Sequence, residues 1–409
     1  MSLTTQPVTE RPVIEGHLLL ILAVATGAVV ANLYFCQPIL PRIASAFHHS
    51  VASLTFVVTA TQIGYAAGLA LLVPLGDIIS RKRLVPAIFL VAAFGCILCA
   101  LAPSLVLFLV ASAIVGMASV AGQILIPFVA DFAPPERRSR SVARLMSGLL
   151  FGILLARTFS GVIAEFFGWR SVYFASTITM AGFAVLLYLS IPVEPKRSSI
   201  RYQELLGAAV MLMIHEPVLR RRSLLGALAF GGFAVLWSSL SWQLSREPFA
   251  MNSLTIGLFG IIGLSGVFAA NMVGRIADKG HGKMITFQVT LFAGAAVLLA
   301  FLFFLFGASS LYAIVFGVIL LDAGTQGVQL SNQTLIYNMI SDSRSRITSA
   351  YMFTYFLGGT LGSALAGIAL ERSGWRASSL VGLGFGCGVL VLSYLELRRH
   401  QHASRVGAR

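Results

Sequence analysis

Two ionisable side chains occupy long apolar stretches of this chain, where charges are costly and therefore usually have a function. Arg157 lies within the apolar run 148–161, and a charge near the centre of a bilayer costs at least about 2.5 kcal/mol on insertion scales. Asp322 is the one acidic residue deep in such a run. Burial disfavours the charged form of a carboxyl group, so Asp322 is a candidate for reversible protonation. The alternative is a permanent ion pair or hydrogen bond that closes two helices.

A stripe of amides follows Asp322. Gln326, Gln329 and Gln333 come at steps of four, three and four residues, so all four side chains project from one helix face. Because this stripe is costly against lipid, we expect it to face a wet cavity. Other apolar runs add further polar or aromatic candidates, namely Asn32, Tyr34, Gln37, Gln123 and Trp237. For Trp237, stacking on a substrate is one interpretation. We favour the other, in which the side chain serves as an interfacial anchor or packs between helices.

Composition identifies the class of protein. Of 409 residues, 57% are hydrophobic and 11% are charged, and the mean hydropathy is +0.87. That leaves too little polar surface for a water-soluble globule, so we predict an all-α polytopic membrane protein that contacts the lipid bilayer. The net charge of +14 comes from bases that punctuate apolar runs, which indicates topology and no nucleic-acid partner. Cys96 and Cys99 lack further metal ligands, and no nucleophile has a base nearby in sequence, so we expect no metal site, no cofactor and no enzyme.

Apolar runs long enough to cross a bilayer define two sets of six predicted spans. They lie near 18–40, 51–75, 84–102, 104–130, 142–165, 171–191, 223–245, 253–277, 284–306, 308–337, 347–370 and 376–397. The predicted division is a cytoplasmic segment 1–17, an N-terminal six-helix bundle 18–191, a cytoplasmic linker 192–222, a C-terminal six-helix bundle 223–397 and a basic cytoplasmic tail 398–409. Within the linker we expect a helix lying along the membrane surface, the alternative being a linker without a fixed helix.

Basic residues in the connections predict the orientation. If the N-terminus is cytoplasmic, all Lys and Arg outside the spans lie on the cytoplasmic side except Arg42, Arg170, Arg246, Arg372 and Arg376. This asymmetry predicts that both termini are cytoplasmic. The uncleaved first span and the multi-pass pattern suit the inner membrane of a bacterium.

The two halves repeat. At an offset of 206 residues, Gly168-Trp169-Arg170 returns as Gly374-Trp375-Arg376, and Gln123 returns as Gln329. Duplicated six-helix units around a midplane site are typical of a secondary transporter.

A loop motif then carries a family resemblance. Pro74-Leu-Gly-Asp77-Ile-Ile-Ser-Arg81-Lys82-Arg83, and the weaker copy from Gly274 through Asp278 to Lys283, resemble the motif Gly-x-Leu-Ala-Asp-Arg-x-Gly-Arg-Lys of the major facilitator superfamily. By this resemblance, Asp77, Arg81, Lys82, Asp278 and Lys283 are gate residues that lock the cytoplasmic side in the outward-open state. A carboxylate favours both an arginine partner and the positive end of a helix dipole. The alternative is that these charges only set topology.

The resemblance covers almost the whole chain. Within the superfamily, the chain is similar to the twelve-helix branch of bacterial drug:proton antiporters and metabolite efflux proteins. The resemblance implies that the first, fourth, seventh and tenth helices line a central cavity. The segment 156–161 resembles the antiporter motif of the fifth helix, with Arg157 where the family has a kink-forming proline. Arg157 would bind an anionic substrate group, lock the halves together or tune the proton site. At about 1.5 Å per residue, Arg157 lies about 12 Å from the outer end of its helix, and Asp322 lies about 21 Å from the outer end of its helix. This difference in depth argues against direct contact unless the long arginine side chain closes the gap.

The resulting hypothesis is a monomeric secondary active transporter that works by alternating access. We expect proton-coupled efflux of a drug-like compound, sugar or metabolite, with protons as the coupling ion. No acidic residue lies in the first or fourth span, so a neutral or anionic small-molecule substrate is favoured. The alternatives are a proton-independent facilitator or exchanger and, less favoured, a non-transporting membrane sensor.

Overall fold

The computed structural model describes residues 16–134, 137–193, 202–263, 283–337 and 344–406. Within these ranges the regular structure is helical and no strand occurs. The α-helices are α1 (Gly16–Ala31), α2 (Leu40–Phe47), α3 (Thr55–Leu71), α4 (Arg81–Leu101), α5 (Leu105–Ala118), α6 (Ala121–Phe132), α7 (Arg138–Phe167), α8 (Trp169–Ser190), α9 (Tyr202–His215), α10 (Pro217–Leu244), α11 (Ser253–Ile262), α12 (Lys283–Phe306), α13 (Leu311–Tyr337) and α14 (Arg344–Val406). Short 3₁₀ turns cover Gln37–Ile39 and Pro74–Asp77.

The all-α polytopic fold predicted from the sequence is confirmed. Among the described residues, nine helical stretches are long and apolar enough to cross a membrane, and α1 and α11 are shorter apolar helices. The stretch Ile347–Gln401 contains two of the predicted spans, because α14 is interrupted at Ser373 and Gly374 by non-helical backbone. Each of the twelve predicted spans overlaps a described helix, although span 253–277 is described only to residue 263 and span 104–130 is divided between α5 and α6.

Two glycines in the repeated Gly-Trp-Arg motif turn the chain between spans. Gly168 ends α7 with a φ of +83°, and Gly374 interrupts α14 with a φ of +67°. Only glycine adopts this region readily, so the recurrence of the motif reflects a shared turn at equivalent places in the two halves.

Small residues let the helices within each half approach closely. A Cβ atom at Gly64 of α3 would overlap the carbonyl oxygen of Ala113 in α5, and one at Gly358 of α14 would overlap that of Ala227 in α10. Without water to drive apolar burial between spans, such close packing supplies much of the attraction between membrane helices.

The segment between the halves contains α9, which lies within the predicted linker 192–222. The Tyr202 hydroxyl donates a hydrogen bond of 2.7 Å to the carbonyl oxygen of Leu71, at the end of α3. Helix α10 begins at Pro217, before the predicted bundle boundary at 223, and α14 continues to Val406, beyond the predicted boundary at 397.

Candidate functional site

A cavity of about 550 Å³ lies between the two halves of the molecule. Tyr34, Gln123 and Leu149 of the first half face Phe230 and Gln329 of the second half across it. The remaining polar lining residues are Tyr65, Thr325, Gln326, Gln333, Thr348, Ser349 and Tyr355. Among the described residues, none that lines this cavity is charged. The cavity can therefore offer hydrogen bonds and aromatic surface to a ligand, but no direct ionic contact.

The cavity lies towards one end of the bundle. We call the end where most basic connections lie the basic face, and the other end the opposite face. Val73, Val142 and Thr348 line the cavity close to basic connections, and its other lining residues come from the middle of their spans or the half nearer the basic face. The structure thus shows a state in which the central cavity is displaced towards the basic face.

Two seams between the halves close the opposite face. In the α7–α11 seam, the Thr158 hydroxyl donates to the carbonyl oxygen of Gly257 over 3.1 Å, and Nε of Arg42 donates to the Ser253 hydroxyl over 3.0 Å. Arg42 also forms a 2.6 Å salt bridge with Glu165 of α7.

In the α3–α14 seam, the hydroxyls of Thr59 and Ser363 lie 2.8 Å apart. Further along, the Ser53 hydroxyl donates to Oε1 of Glu371 over 2.5 Å. The rings of Tyr65 and Phe356 approach to 4.1 Å between centroids. Both seams must separate if this face is to open.

Arg157 lies at the inner end of the α7–α11 seam and is only 2% exposed. Its Nε donates a 2.7 Å hydrogen bond to Oε1 of Gln37. Its guanidinium carbon lies 3.7 Å from the ring centroid of Trp237 and 4.8 Å from that of Tyr34. Its Nη2 has no acceptor among the described protein groups. The charge is therefore held by an amide and by aromatic faces, which attract cations through the ring quadrupole.

Trp237 links this arginine to the buried carboxylate. Its indole Nε1 donates a 3.2 Å hydrogen bond to Oδ1 of Asp322, which is 5% exposed. A Cβ atom at Gly263 would lie 2.8 Å from Oδ2 of the same carboxylate, so the absence of a side chain there makes room for the acid. We call Gln37, Arg157, Trp237 and Asp322 the central cluster.

The central cluster joins the two halves without a direct ion pair. Gln37 and Arg157 belong to the first half, Trp237 and Asp322 to the second. The indole contacts both charges, with its ring against the guanidinium and its N–H on the carboxylate. The cluster lies behind Tyr34 and Phe233, which line the cavity and whose rings both lie within 6 Å of the guanidinium carbon. The estimated depth mismatch between the two charges is thus spanned by an aromatic side chain.

Most of the predicted lining residues reach the cavity. Gln123 and the repeat-related Gln329 each form a hydrogen bond with a tyrosine. Nε2 of Gln123 donates to the Tyr65 hydroxyl over 3.2 Å, and the Tyr355 hydroxyl donates to Oε1 of Gln329 over 3.2 Å. Tyr34, Gln326 and Gln333 also line it.

Four of the predicted lining residues do not line the cavity, namely Asn32, Gln37, Trp237 and Asp322. Asn32 does not line the cavity, because its side chain packs inside the first half, where Oδ1 accepts a 2.5 Å hydrogen bond from Ser176 and Nδ2 lies 3.4 Å from the sulfur of Met180. Trp237 packs between helices rather than at a membrane interface, because it is 2% exposed and buried against Arg157.

The predicted gate residues are only partly within the described chain. Asp77 ends the 3₁₀ turn before α4 and is half-buried. Arg81 is buried, with Nη1 3.2 Å from Oδ2 of Asp131, and Nζ of Lys82 lies 5.9 Å from the ring centroid of Tyr188. Asp278 and the side chain of Lys283 lie outside the described residues.

A second buried charge was missed by the sequence interpretation, which treated Arg222 as a topology signal. Arg222 is 1% exposed and forms a 2.6 Å salt bridge with Glu396 of α14. Its Nη1 donates to Thr290 and Asn332 over 3.3 Å. The signal available was Glu396 itself, an acid within the last apolar run.

Comparison with known proteins places this architecture in a family. The model of the Major Facilitator Superfamily matches residues 22–328. The chain is 39% identical over 387 residues to the uncharacterized transporter YgaY of Escherichia coli O157:H7, covering 95% of this chain and 97% of that one. It is 32% identical over 357 residues to the transporter SCO4007 of Streptomyces coelicolor, covering 87% and 82%.

Among solved structures, a bacterial homologue of the human lysosomal transporter Spinster, in an inward-facing and unoccupied conformation, superposes with a TM-score of 0.71. The overlap covers 93% of this chain and 96% of that chain at 15% identity, so it shows the shared fold. The match to the family model over most of the chain and the similarity to YgaY agree with the twelve-span helical architecture. The chain belongs to the major facilitator superfamily of membrane transporters.

Proposed function

We propose that this transporter exports a small uncharged molecule with aromatic and hydrogen-bonding groups, in exchange for protons, across a bacterial inner membrane. The basic face is cytoplasmic in this proposal, following the distribution of Lys and Arg. The cavity seen here would then be the cytoplasm-facing site, and separation of the two seams would present it to the other side.

The observation that carries the proposal is the separation of the cavity from the charges. The described residues of the cavity wall are uncharged, whereas Asp322 lies behind them and is held by Trp237. A charged substrate entering this wall would be desolvated without an ionic partner, which costs several kcal/mol. A neutral substrate meets amides and tyrosines instead, and Asp322 is left to take up and release protons.

The proposal is tested with purified protein in proteoliposomes. A thermal-shift screen of neutral aromatic compounds, with anionic and cationic analogues of the same size, first identifies a ligand. Uphill transport of that ligand is then driven by an imposed pH gradient. We expect Asp322→Asn to abolish uphill transport and to spare counterflow exchange, because exchange requires no net proton movement. Unchanged uphill transport in this variant would show that Asp322 does not couple protons.

A proton-independent facilitator is the second candidate, and one contact favours it. Asp322 already accepts a hydrogen bond from Trp237, and the positive charge of Arg157 lies against the same indole. Both interactions favour a permanently charged carboxylate. In that case wild-type protein would equilibrate the ligand at the same rate with and without a pH gradient, and never accumulate it.

A further inference from the structure

A second and larger cavity lies outside the central site, on the outer surface of the first half. It has a volume of about 880 Å³ and lies between α1, α7 and α8. Its floor includes Gly27 and Gly152, which hold α1 and α7 so close that no Cβ atom fits at either position. We call this cavity the α1–α7 groove.

The groove faces the hydrocarbon of the membrane. Large apolar residues on its walls are strongly exposed, including Leu20 at 65%, Phe151 at 62% and Leu155 at 58%. In a helix bundle that spans a bilayer, such a surface contacts lipid chains. The groove is therefore open to lipid along its length.

Among the described residues, the inside of the groove offers no free hydrogen-bond donor to a ligand. Its three hydroxyls all donate within the protein: Ser147 to the carbonyl oxygen of Ala143, Thr179 to that of Ala175, and Ser176 to Oδ1 of Asn32. A ligand segment inside the groove gains most by being hydrocarbon, since a polar segment would lose its hydration without replacement.

The described residues that line the groove include a single charge, which lies at one end. Arg144 is the charged residue of the lining, is exposed and forms no ion pair within the described part of the chain. The other end is closed by Phe35 and Phe159, whose ring centroids lie 6.2 Å apart. From Arg144 to Phe159 the helix rises about 22 Å at 1.5 Å per residue, which exceeds half of the roughly 30 Å hydrocarbon core. The groove thus has the length of an acyl chain and a cation where a lipid headgroup would lie.

We propose that the α1–α7 groove binds one anionic phospholipid of the basic-face leaflet, with an acyl chain along α7 and the phosphate at Arg144. A guanidinium pairs with phosphate oxygens in a bidentate manner. An anionic lipid is favoured over a zwitterionic one because its headgroup carries no cation that would be repelled by Arg144.

The matched pair of variants is Arg144→Gln and Arg140→Gln. Arg140 is also exposed and lies one turn away on α7, but it does not line the groove. Purified protein is equilibrated with phosphatidylglycerol and phosphatidylcholine of identical chains, and retained lipid is counted by native mass spectrometry. We expect wild type and Arg140→Gln to prefer phosphatidylglycerol. We expect Arg144→Gln to lose about fivefold of this preference, the factor that about 1 kcal/mol per basic residue represents.

The position of the acyl chain is tested separately. Phosphatidylglycerol with a photoreactive group at the end of one acyl chain is cross-linked to wild type and to Ala28→Phe, which places a ring in the groove. We expect labelled peptides from α1 and α7 in wild type and their loss in Ala28→Phe, with an unchanged melting temperature showing that this variant is folded. Equal lipid preference in the two arginine variants, labelling elsewhere on the surface, or a dimer without bound lipid would each overturn the proposal.

Discussion

The α7–α11 seam allows alternating access to be tested with a single methyl group. Gly257 of α11 faces the backbone of α7, and a Cβ atom there would lie 2.6 Å from the carbonyl oxygen of Arg157 and 3.2 Å from the Cα of Gly161. Both neighbours are backbone atoms, which cannot move aside by a rotamer change. Gly257→Ala therefore acts as a wedge in the seam.

The size of the effect follows from the overlap. Non-bonded heavy atoms avoid repulsion at separations of about 3.5 Å or more. Because the new methyl group would lie 2.6 Å from the carbonyl oxygen of Arg157, the helices must separate by about 0.9 Å to admit it. Overpacking of this kind costs about 1–3 kcal/mol. Because the cost applies only while the seam is closed, it shifts the equilibrium towards the state with the opposite face open by about 5- to 150-fold.

Two introduced cysteines report the shift, in a background without the four native cysteines. Ser363→Cys lies in the closed α3–α14 seam and is buried, whereas Val142→Cys lines the cavity near the basic face. We expect Gly257→Ala to increase labelling of Ser363→Cys by an impermeant maleimide and to decrease labelling of Val142→Cys. The control is Gly182→Ala, where a Cβ atom meets nothing within 4 Å.

Identical labelling in the Gly257→Ala and Gly182→Ala backgrounds would refute the reasoning, since it would mean that the α7–α11 seam does not limit opening. A rise at both probe positions would equally contradict it, because a rocking motion exposes one face at the expense of the other. A melting temperature within the range of the control separates a shift in conformation from loss of fold.

Three further predictions concern the buried charges and the gate. Arg157→Lys keeps the charge but loses the planar stacking, worth about 2 kcal/mol when desolvated; we expect initial transport rates to fall about 30-fold at equal abundance, and an unchanged rate would show that stacking is dispensable. Asp77→Asn should raise the labelling of a cysteine near the basic face, because the carboxylate that would lock that side is lost; an identical labelling pattern would leave Asp77 as a topology residue. Glu396→Gln leaves Arg222 buried without its counter-charge and should destabilise the protein by about 3–5 kcal/mol. Thermal unfolding in detergent measures this loss, with Arg221→Gln as the exposed control. Equal melting temperatures of the two variants would contradict the prediction.

The fold was predictable because its signals are long and redundant. Twelve apolar runs, the basic connections and the 206-residue repeat each constrain the same architecture, and the turn glycines Gly168 and Gly374 recur at equivalent places. The amide stripe was predictable for a related reason. Its helical spacing fixed a common face, and Gln326, Gln329 and Gln333 all line the cavity.

Single polar residues could not be placed in this way. Asn32 has the same amide chemistry as Gln123, but it lies in the turn after α1 and its side chain bonds Ser176 rather than lining the cavity. Arg222 and Glu396 are 174 residues apart in sequence, and only the packing of α10 against α14 brings them together. Pairings between distant helices depend on helix rotation and depth, which a linear pattern does not specify.

The stabilisation of the buried Arg157 charge depends on whether the seam between the two halves is closed. The bonds that hold it are a hydrogen bond to Gln37, worth about 1.5–3 kcal/mol for a charged donor, and stacking on Trp237, worth about 2 kcal/mol. Together they offset an insertion cost of at least about 2.5 kcal/mol. Gln37 and Tyr34 belong to the same half as Arg157, whereas Trp237 belongs to the other half. The stacking on Trp237 is therefore the contact that is lost when the seam opens. In the opposite state the guanidinium needs a new partner, and its Nη2 already lacks an acceptor within the described structure. A residue whose stabilisation depends on which face is closed must contribute to the energy difference between the two states, whatever it binds in the other one.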